Sequence, residues 1–416
     1  MSKKEQPKYL LQDLEILEDE SKIKFMHISD THLGYNHSSF INNPNTNINL
    51  KIEDLERSLE YCVNLAIKSK VDFILHTGDL FHIARPNFSV ILNCMHILQE
   101  LEKYDIPFIV IAGNHDRAYS ITTKSPIDLL QYVKSVSPIS DHASVYIPCK
   151  GKTVRIVGIT YQIKEPSVKI NTFIKELNER DKSEPPADYN ILMIHQTLKA
   201  GNKGGFFMVE DEPLDENDLP TDFDYIACGH IHLQQQKGHP LKEDLPIAYA
   251  GSTEKVTFGE FKEIKQGWFG ILDKGCQISS FVIPTREMRE LVIEFKNPKT
   301  SLVVEETIQK ALSQVQNDSL FLGVYFKGEI SQEFTMLLTT HKFRRLFPTQ
   351  AALAFYQKNL TLISPQGEKV SYDGKWINSD EKELELALSE RKDITKDRLE
   401  RLMDLGKEII SESRGE

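Results

Sequence analysis

The polar residues with the most chemistry to offer sit where apolar runs stop. Asp30 and His32 follow KFMHIS in SDTHLG, and Gly78 and Asp79 follow DFILHT in TGDLFH. Gly113, Asn114, His115 and Asp116 follow PFIVIA. His195 follows YNILMI, and Gly229, His230 and His232 follow DYIAC in CGHIH. Asp, Asn and His supply oxygen and nitrogen donors without a thiolate, a set that suits Mn²⁺, Fe²⁺, Zn²⁺ or Co²⁺. Asp79 has two carboxylate oxygens and can bridge two cations. Residues two apart in extended backbone point to one side, so Asp30/His32 and His230/His232 can each converge. The glycines before Asp79, Asn114 and His230 suit tight turns and close backbone approach. Taken singly, a histidine at a strand end is usually a bonded core or surface group, and Gly-Asp is usually a turn. Five such blocks in one chain, each closing an apolar run, point to a pair of metal ions. His27 and His76 lie inside strand-like runs and read as core residues or as supports behind the site.

Such loops need a rigid base, and open α/β sheets place their sites beyond the carboxyl ends of the strands. From Ile23 to about Ile283, short apolar runs alternate with segments of helical period such as DLERSLEYCVNLAIKS and FSVILNCMHILQELEKY. That alternation predicts an α/β domain with a packed sheet. A second, smaller α+β unit follows, with strand-like ELVIEF and SLFLGVYF and helix-like VVEETIQKALSQVQ and QEFTMLLTTHKFRRLF. The predicted boundaries are a charged leader over 1–21, a main domain over 22–285, the smaller unit over 286–375 and a helical tail over 376–416. Leu10, Leu14 and Leu17 give the leader a helical spacing, and Leu399, Leu402 and Ile409 do so in the tail.

Composition narrows the function class. Lys and Arg number 50 against 61 Asp and Glu, a formal charge of −11. This argues against a protein that coats nucleic acid broadly and leaves room for a local basic groove. Arg85, Arg117, Lys199, Lys203 and Lys255 lie near the motif loops and are candidates for phosphate contact. No apolar run approaches the roughly 18 residues of a spanning helix, and the N-terminus lacks a secretory pattern, so no membrane partner is expected. Cys62, Cys94, Cys149, Cys228 and Cys276 are scattered and form no CxxC, which disfavours a disulfide framework and a thiolate zinc site. The expected setting is reducing and intracellular: cytoplasm or nucleoid in a prokaryote, nucleus in a eukaryote. There is no GxxxxGK[ST] loop, so any ATP-driven step must come from a partner.

DTH, GD, GNHD, the isolated histidine and GHxH together resemble the calcineurin-like metallophosphoesterase superfamily. SDTHLGY, TGDLFHIARP, IVIAGNHD, LMIHQTL, ACGHIH and YAGSTEKVTFGE are similar to the SbcD-type nuclease of DNA double-strand-break repair, the Mre-eleven family, over about residues 23–285. The resemblance implies a metallophosphoesterase β-sandwich flanked by helices as the nuclease domain, a small α+β DNA-capping domain, and C-terminal helices that bind a partner. The leader 1–21 departs from the family pattern. The resemblance further implies two divalent metal ions, with Mn²⁺ expected. Asp30, His32 and His232 would hold one, Asn114, His195 and His230 the other, and Asp79 would bridge them. His115 corresponds to a catalytic histidine that is not a ligand, Asp116 would orient it, and His82 matches a histidine tied to exonuclease geometry. GSTE, residues 251–254, would line or brace the site.

The implied function is a Mn²⁺-dependent DNA nuclease, 3′–5′ exonuclease and endonuclease, processing break ends with an SMC-like ABC ATPase. The core blocks are shared with two-metal phosphodiesterases of small phosphodiesters or phosphoproteins, which stands as the alternative. A homodimer is implied through helices at Phe88 to Lys103 and Pro126 to Lys134. Val90, Ile91, Cys94, Leu98, Ile127 and Leu130 are its candidate contacts.

Overall fold

The computed structural model describes residues 19–36, 46, 48–118, 120, 122–199, 212–315, 320–338, 352–364, 369–371 and 402. Most of the leader, Lys203 and the tail helices expected over 376–416 lie outside the described residues. Contacts part the chain at Thr285 and Arg286 into two units, with His37–Leu50 grouped with the second.

In chain order the first unit carries β1 (Ile23–Ile28), α1 (Leu50–Lys68), β2 (Phe73–His76), α2 (Phe88–Gln99), β3 (Phe108–Ile111), β4 (Val136–Ile139), β5 (His142–Cys149) and β6 (Lys152–Ile159). It continues through α3 (Pro166–Arg180), β7 (Tyr189–His195), β8 (Tyr225–Gly229), β9 (Gln235–His239), β10 (Lys242–Tyr249), β11 (Gln266–Leu272) and β12 (Cys276–Val282). Two six-stranded sheets result, ordered β12-β11-β1-β2-β3-β4 and β5-β6-β7-β8-β10-β9. Strands β1 to β4 run parallel to one another, as do β6, β7, β8 and β10.

The sequence dictates this layering through strands that are apolar on both faces, as parallel strands covered on two sides must be. In β1, Ile23 and Phe25 enter the core between the sheets, while Met26 and Ile28 enter the core under the helices. In β7, Ile191 and Met193 face the sandwich, and Leu192 and Ile194 face the layer of α3. Leu59, Cys62 and Val63 of α1 and Cys94 and Leu98 of α2 cover the outer face of the first sheet. Each fully buried large apolar side chain contributes roughly 1.5–3 kcal/mol. The helix-flanked β-sandwich inferred from the motifs is therefore the fold observed.

Two local expectations are corrected. The segment after Ser125 is a 3-10 helix, Pro126–Tyr132, closed by a capping box between Ser125 and Asp128. Val90, Ile91, Cys94, Leu98, Ile127 and Leu130 are all buried in the core of this unit and are not available to a second copy. The exposed apolar side chains of these segments are instead Phe88, Leu92, Leu129 and Tyr132, with Phe88 83% and Tyr132 75% accessible. An apolar stripe at helical spacing cannot tell its own core from a partner, and here the stripe went to the core.

The second unit holds β13 (Met288–Lys296), α4 (Ser301–Leu312), β14 (Phe321–Ser331), β15 (Ala352–Ile363) and β16 (Lys369–Ser371). β13, β14 and β15 are parallel and β16 is antiparallel at the edge. Thr300 caps α4 by accepting from Val303 N. Val304, Ile308 and Leu312 of α4 pack with Ile293, Phe295, Val324 and Phe326 of the sheet. Of the helix expected over QEFTMLLTTHKFRRLF, the described part is a 3-10 helix, Gln332–Leu338, and the rest lies outside the described residues.

Candidate metal centre

The loops after β1, β2, β3 and β8 and the last residue of β7 meet at one place in the first unit. Backbone bonds lace the first two together: Asp30 N donates to Gly78 O at 3.1 Å, His32 N to Asp79 O at 2.9 Å, and His82 N to Leu33 O at 3.0 Å. Asp30, His32, Asp79 and His230 all sit at positive φ, at 49°, 50°, 52° and 91°. For residues other than glycine this left-handed backbone is uncommon, and the surrounding structure must hold it. The Asp-x-His pair therefore does not converge through the two-residue period of a strand, as the sequence suggested. It converges because two consecutive turns are held in left-handed geometry by the 78–82 loop.

Space is equally specified. A Cβ at Gly113 would collide with the Asp79 carboxylate and backbone nitrogen, and one at Gly229 with Thr77 O, Ser29 Oγ and His195 Nδ1. Only glycine lets the loops come this close.

Two clusters of ligand atoms face each other. In one, His195 Nδ1 donates to Thr77 O at 2.7 Å, so that in the neutral ring Nε2 is the acceptor. That Nε2 nevertheless lies 3.0 Å from Asn114 Oδ1, 3.4 Å from Asp79 Oδ2 and 4.0 Å from Asp30 Oδ1. His230 Nδ1 reaches the same Asn114 oxygen at 3.0 Å. In the other, His32 Nε2 and His232 Nε2 lie 3.0 Å apart, with Asp79 Oδ2 3.8 Å from the former. Asp30, His32 and His232 can hold one ion, as can Asp30, Asp79 and His195, by the mutual closeness of their donor atoms.

Donor atoms gathered this closely are satisfied by a proton on one of the histidine nitrogens or by a metal ion among them. Burial would push the His195 pKa down, yet the carboxylates of Asp79 and Asp30 beside it reverse that and raise it to about 9. Asp79 is pulled by burial in the opposite sense, and the histidines around it, His195 first, hold its carboxyl far below the usual carboxylate range. The pocket thus draws a cation to the spot. The hard and borderline donors fit a pair of divalent ions. Asp30, His32, Asp79 and His195 form a buried floor, while Asn114, His115, His82, His230 and His232 are partly exposed around it.

His115 and Asp116 divide their work differently from the sequence expectation. The His115 ring is held by the carbonyl of His82, 2.9 Å from its Nδ1, and not by Asp116. Asp116 accepts from Gly113 N at 2.7 Å and Phe81 N at 3.1 Å, tying the β3 loop to the β2 loop. Burial, and then Asp79, push its pKa up to about 7. The His82 ring stacks on His115 with centroids 4.9 Å apart, and its Nδ1 lies 3.2 Å from His32 Nδ1. Burial, and then His115, push His82 down to about 4. Within the GSTE segment, Ser252 N donates to His232 O at 3.0 Å, and Glu254 forms a buried 3.3 Å ion pair with Lys51 of α1.

Sequence reasoning missed Thr77, whose carbonyl fixes the His195 tautomer, and Glu260, 3.2 Å from His232 Nδ1. It also missed Tyr35 and Tyr161, whose rings pack on His82 and His230 with centroids 4.6 and 5.7 Å apart. The Tyr35 and Glu260 positions were visible only as members of quoted blocks, SDTHLGY and YAGSTEKVTFGE. Among the candidate basic residues, Arg117 lies 5.7 Å from the Tyr161 ring centroid and Lys199 4.0 Å from Asp215.

A β-sandwich with Asp, Asn and His donors gathered at the carboxyl ends of parallel strands defines a two-metal phosphoesterase. The family model for calcineurin-like phosphoesterases matches residues 23–234, just over half of the chain, and the chain belongs to that family. It is similar to "DNA double-strand break repair protein Mre11" of Methanococcus maripaludis, 27% identical over 71% of this chain and 74% of the relative. The protein of that name from Methanocaldococcus jannaschii is 30% identical over 58% of this chain and 59% of its own length. That from Sulfolobus acidocaldarius is 25% identical over 83% and 85%. The resemblance to the SbcD-type family read from the motifs is thereby supported well beyond the motif blocks.

Proposed function

We propose that this chain is a Mn²⁺-dependent DNA nuclease that processes double-strand-break ends by 3′–5′ exonuclease and endonuclease action. The phosphodiesterase part rests on one observation: histidine nitrogens and Asp and Asn side-chain oxygens from five chain segments crowd two adjacent points, a donor set that suits a pair of divalent cations. The DNA part draws on the name shared by the relatives and on the motif blocks that resemble theirs.

Asp30, His32 and His232 would hold one ion, Asn114, His195 and His230 the second, and Asp79 would lie between. When bound, such a pair supplies Lewis acidity at phosphoryl oxygens and acidifies water. The remaining work falls to the chain itself. Thr77 O keeps His195 in the tautomer that offers Nε2. The buried floor of Asp30, His32, Asp79 and His195 excludes bulk water beneath the phosphate. His115, with Nδ1 committed to His82 O, keeps Nε2 to carry a proton to the departing sugar oxygen. The partly exposed His82 ring stands where the sugar–phosphate backbone enters. Arg85, Arg117 and Lys199 are proposed phosphate contacts, while Lys255 is buried and is not one of them; such contacts favour structure-dependent and sequence-tolerant binding.

The residues 286–375 are assigned as a DNA-capping domain and 376–416 as the segment that binds an SMC-like ABC ATPase. A homodimer is proposed through the exposed Phe88, Leu92, Leu129 and Tyr132. The chain would work inside the cell, where its substrate is; among the described residues no helix is long and apolar enough to cross a membrane.

The test is to compare hydrolysis of a 3′ DNA end and of a nitrophenyl phosphodiester in Mn²⁺. Efficient DNA cleavage with weak action on the small ester is expected. Rapid turnover of the small ester with intact DNA would favour the alternative, a phosphodiesterase of small substrates.

A further inference from the structure

We propose that Glu260 is a positioning residue for His232, locking its ring so that Nε2 is presented to the ion shared with Asp30 and His32. The inference rests on the metal reading above and assigns a residue that reading does not need. Glu260 lies on a 3-10 turn, Phe258–Glu260, and is buried. Its Oε1 is 3.2 Å from His232 Nδ1, on the opposite side of the ring from the Nε2 that approaches His32.

The carboxylate is anchored before His232 is counted. Oε1 accepts from Thr257 N at 3.1 Å and Thr257 Oγ1 at 3.2 Å, and Oε2 from Val256 N at 3.2 Å and Ser252 Oγ at 3.4 Å. The buried Lys265 ammonium adds an ion pair to Oε2 at 2.5 Å and reaches His232 O at 3.4 Å. Five donors from one loop and one lysine thus crowd a carboxylate that offers about four lone-pair sites, and His232 Nδ1 shares Oε1 with two of them. Glu260 is therefore held in place away from the ligand cluster, with Oε1 also facing the imidazole N–H of His232. The contacts from Ser252, Val256, Thr257 and Lys265 brace the 252–260 turn. The contact to His232 has a separate consequence, fixing which nitrogen carries the proton and where the other points. Carboxylates behind ligand histidines typically matter by roughly 10–100-fold in metal affinity.

The experiment titrates Mn²⁺ by calorimetry into the EDTA-stripped full chain as wild type, Glu260→Ala, Glu260→Gln and His232→Ala, with urea unfolding of each stripped protein. Wild type should take up two ions. Glu260→Ala should weaken one class of site by roughly 10–100-fold, the class that His232→Ala removes, and leave the other class near wild type, while the stripped protein's urea midpoint falls because Val256 N, Thr257 N and the Lys265 ammonium lose their carboxylate. Glu260→Gln keeps an amide oxygen for the imidazole N–H and should recover most of the affinity. Wild-type affinities in Glu260→Ala overturn the proposal. So does equal weakening of both classes, or a Glu260→Gln protein no better than Glu260→Ala. A wild-type chain that takes up no Mn²⁺ overturns the two-ion reading itself.

Discussion

His32 Nε2 and His232 Nε2 come to 3.0 Å although 200 residues separate them, one from the loop after β1 and one from the loop after β8. No helix or strand ladder demands that contact. The side of each ring away from the contact is engaged: His232 Nδ1 faces Glu260, and His32 Nδ1 faces His82. The fold therefore brings two nitrogen ligands to one spot with the other nitrogen of each ring already engaged.

Removing the bridging carboxylate tests that arrangement. Asp79→Ala deletes the group that lies 3.4 Å from His195 and 3.8 Å from His32. At least one of the two ions should be lost, read as metal content after dialysis, and activity should fall with it. Full occupancy in the variant would remove Asp79 from the bridging position.

His115 is expected to act without holding metal. Its Nδ1 is taken by His82 O and its backbone N–H donates to Asp79 Oδ1 at 2.9 Å. His115→Leu keeps the backbone bond and removes the ring. Turnover should fall by roughly 10²–10⁴-fold, the usual span for losing a positioned acid or base, with metal content near wild type. Turnover at the wild-type rate would exclude a proton-transfer role for His115.

Asp116 is expected to be a stability residue first. Asp116→Ala leaves two buried backbone donors, Gly113 N and Phe81 N, without their carboxylate. Each orphaned donor costs about 1–3 kcal/mol, so the urea midpoint of the metal-free protein should drop markedly. An unchanged midpoint with lost activity would return Asp116 to the role of orienting His115.

Much of this was legible in the sequence, and the misses have physical causes. Strand ends could be read because β1, β2, β3, β7 and β8 are short apolar runs closed by polar residues, and the ligand candidates fell directly after them. The left-handed backbone of Asp30, His32 and Asp79 could not be read, because those residue types do not announce positive φ as glycine does. The partner of His115 was misassigned to its neighbour Asp116 because a backbone carbonyl, His82 O, leaves no trace in side-chain identity. Val90 and Leu98 looked like interface residues because periodicity marks a buried stripe without saying what buries it. Phe88 and Leu92 show the exposed face only once the helix is placed.

The exposed face gives its own expectation. Leu92→Glu puts a charge at the centre of the apolar surface formed with Phe88 and leaves the core residues Val90 and Cys94 in place. Light scattering should report a dimer for wild type and a monomer for the variant at micromolar protein, with metal content unchanged. A wild-type monomer would exclude the proposed interface.

Acid should weaken the fold through His27. Its ring bridges Tyr225 OH at 2.8 Å and Thr77 Oγ1 at 3.0 Å, and burial, then His76, push its pKa down to about 3. The unfolded chain binds that proton near pH 6.5, so the folded state is fully favoured above 6.5 and loses stability as pH falls toward 3. Between pH 7 and pH 5 the loss from one such histidine is about 2 kcal/mol. His27→Gln should narrow the difference in urea stability between those two pH values by about that amount. An unaltered difference would mean that His27 is already charged in the fold.

The most direct measurement is an anomalous difference map from a crystal soaked in Mn²⁺. Two peaks roughly 3.5–4 Å apart are expected, one among Asp30, His32 and His232, the other among Asn114, His195 and His230, with Asp79 touching both. A map with no peak among these residues, or with manganese bound elsewhere on the chain, would contradict the two-ion centre on which the proposed chemistry depends.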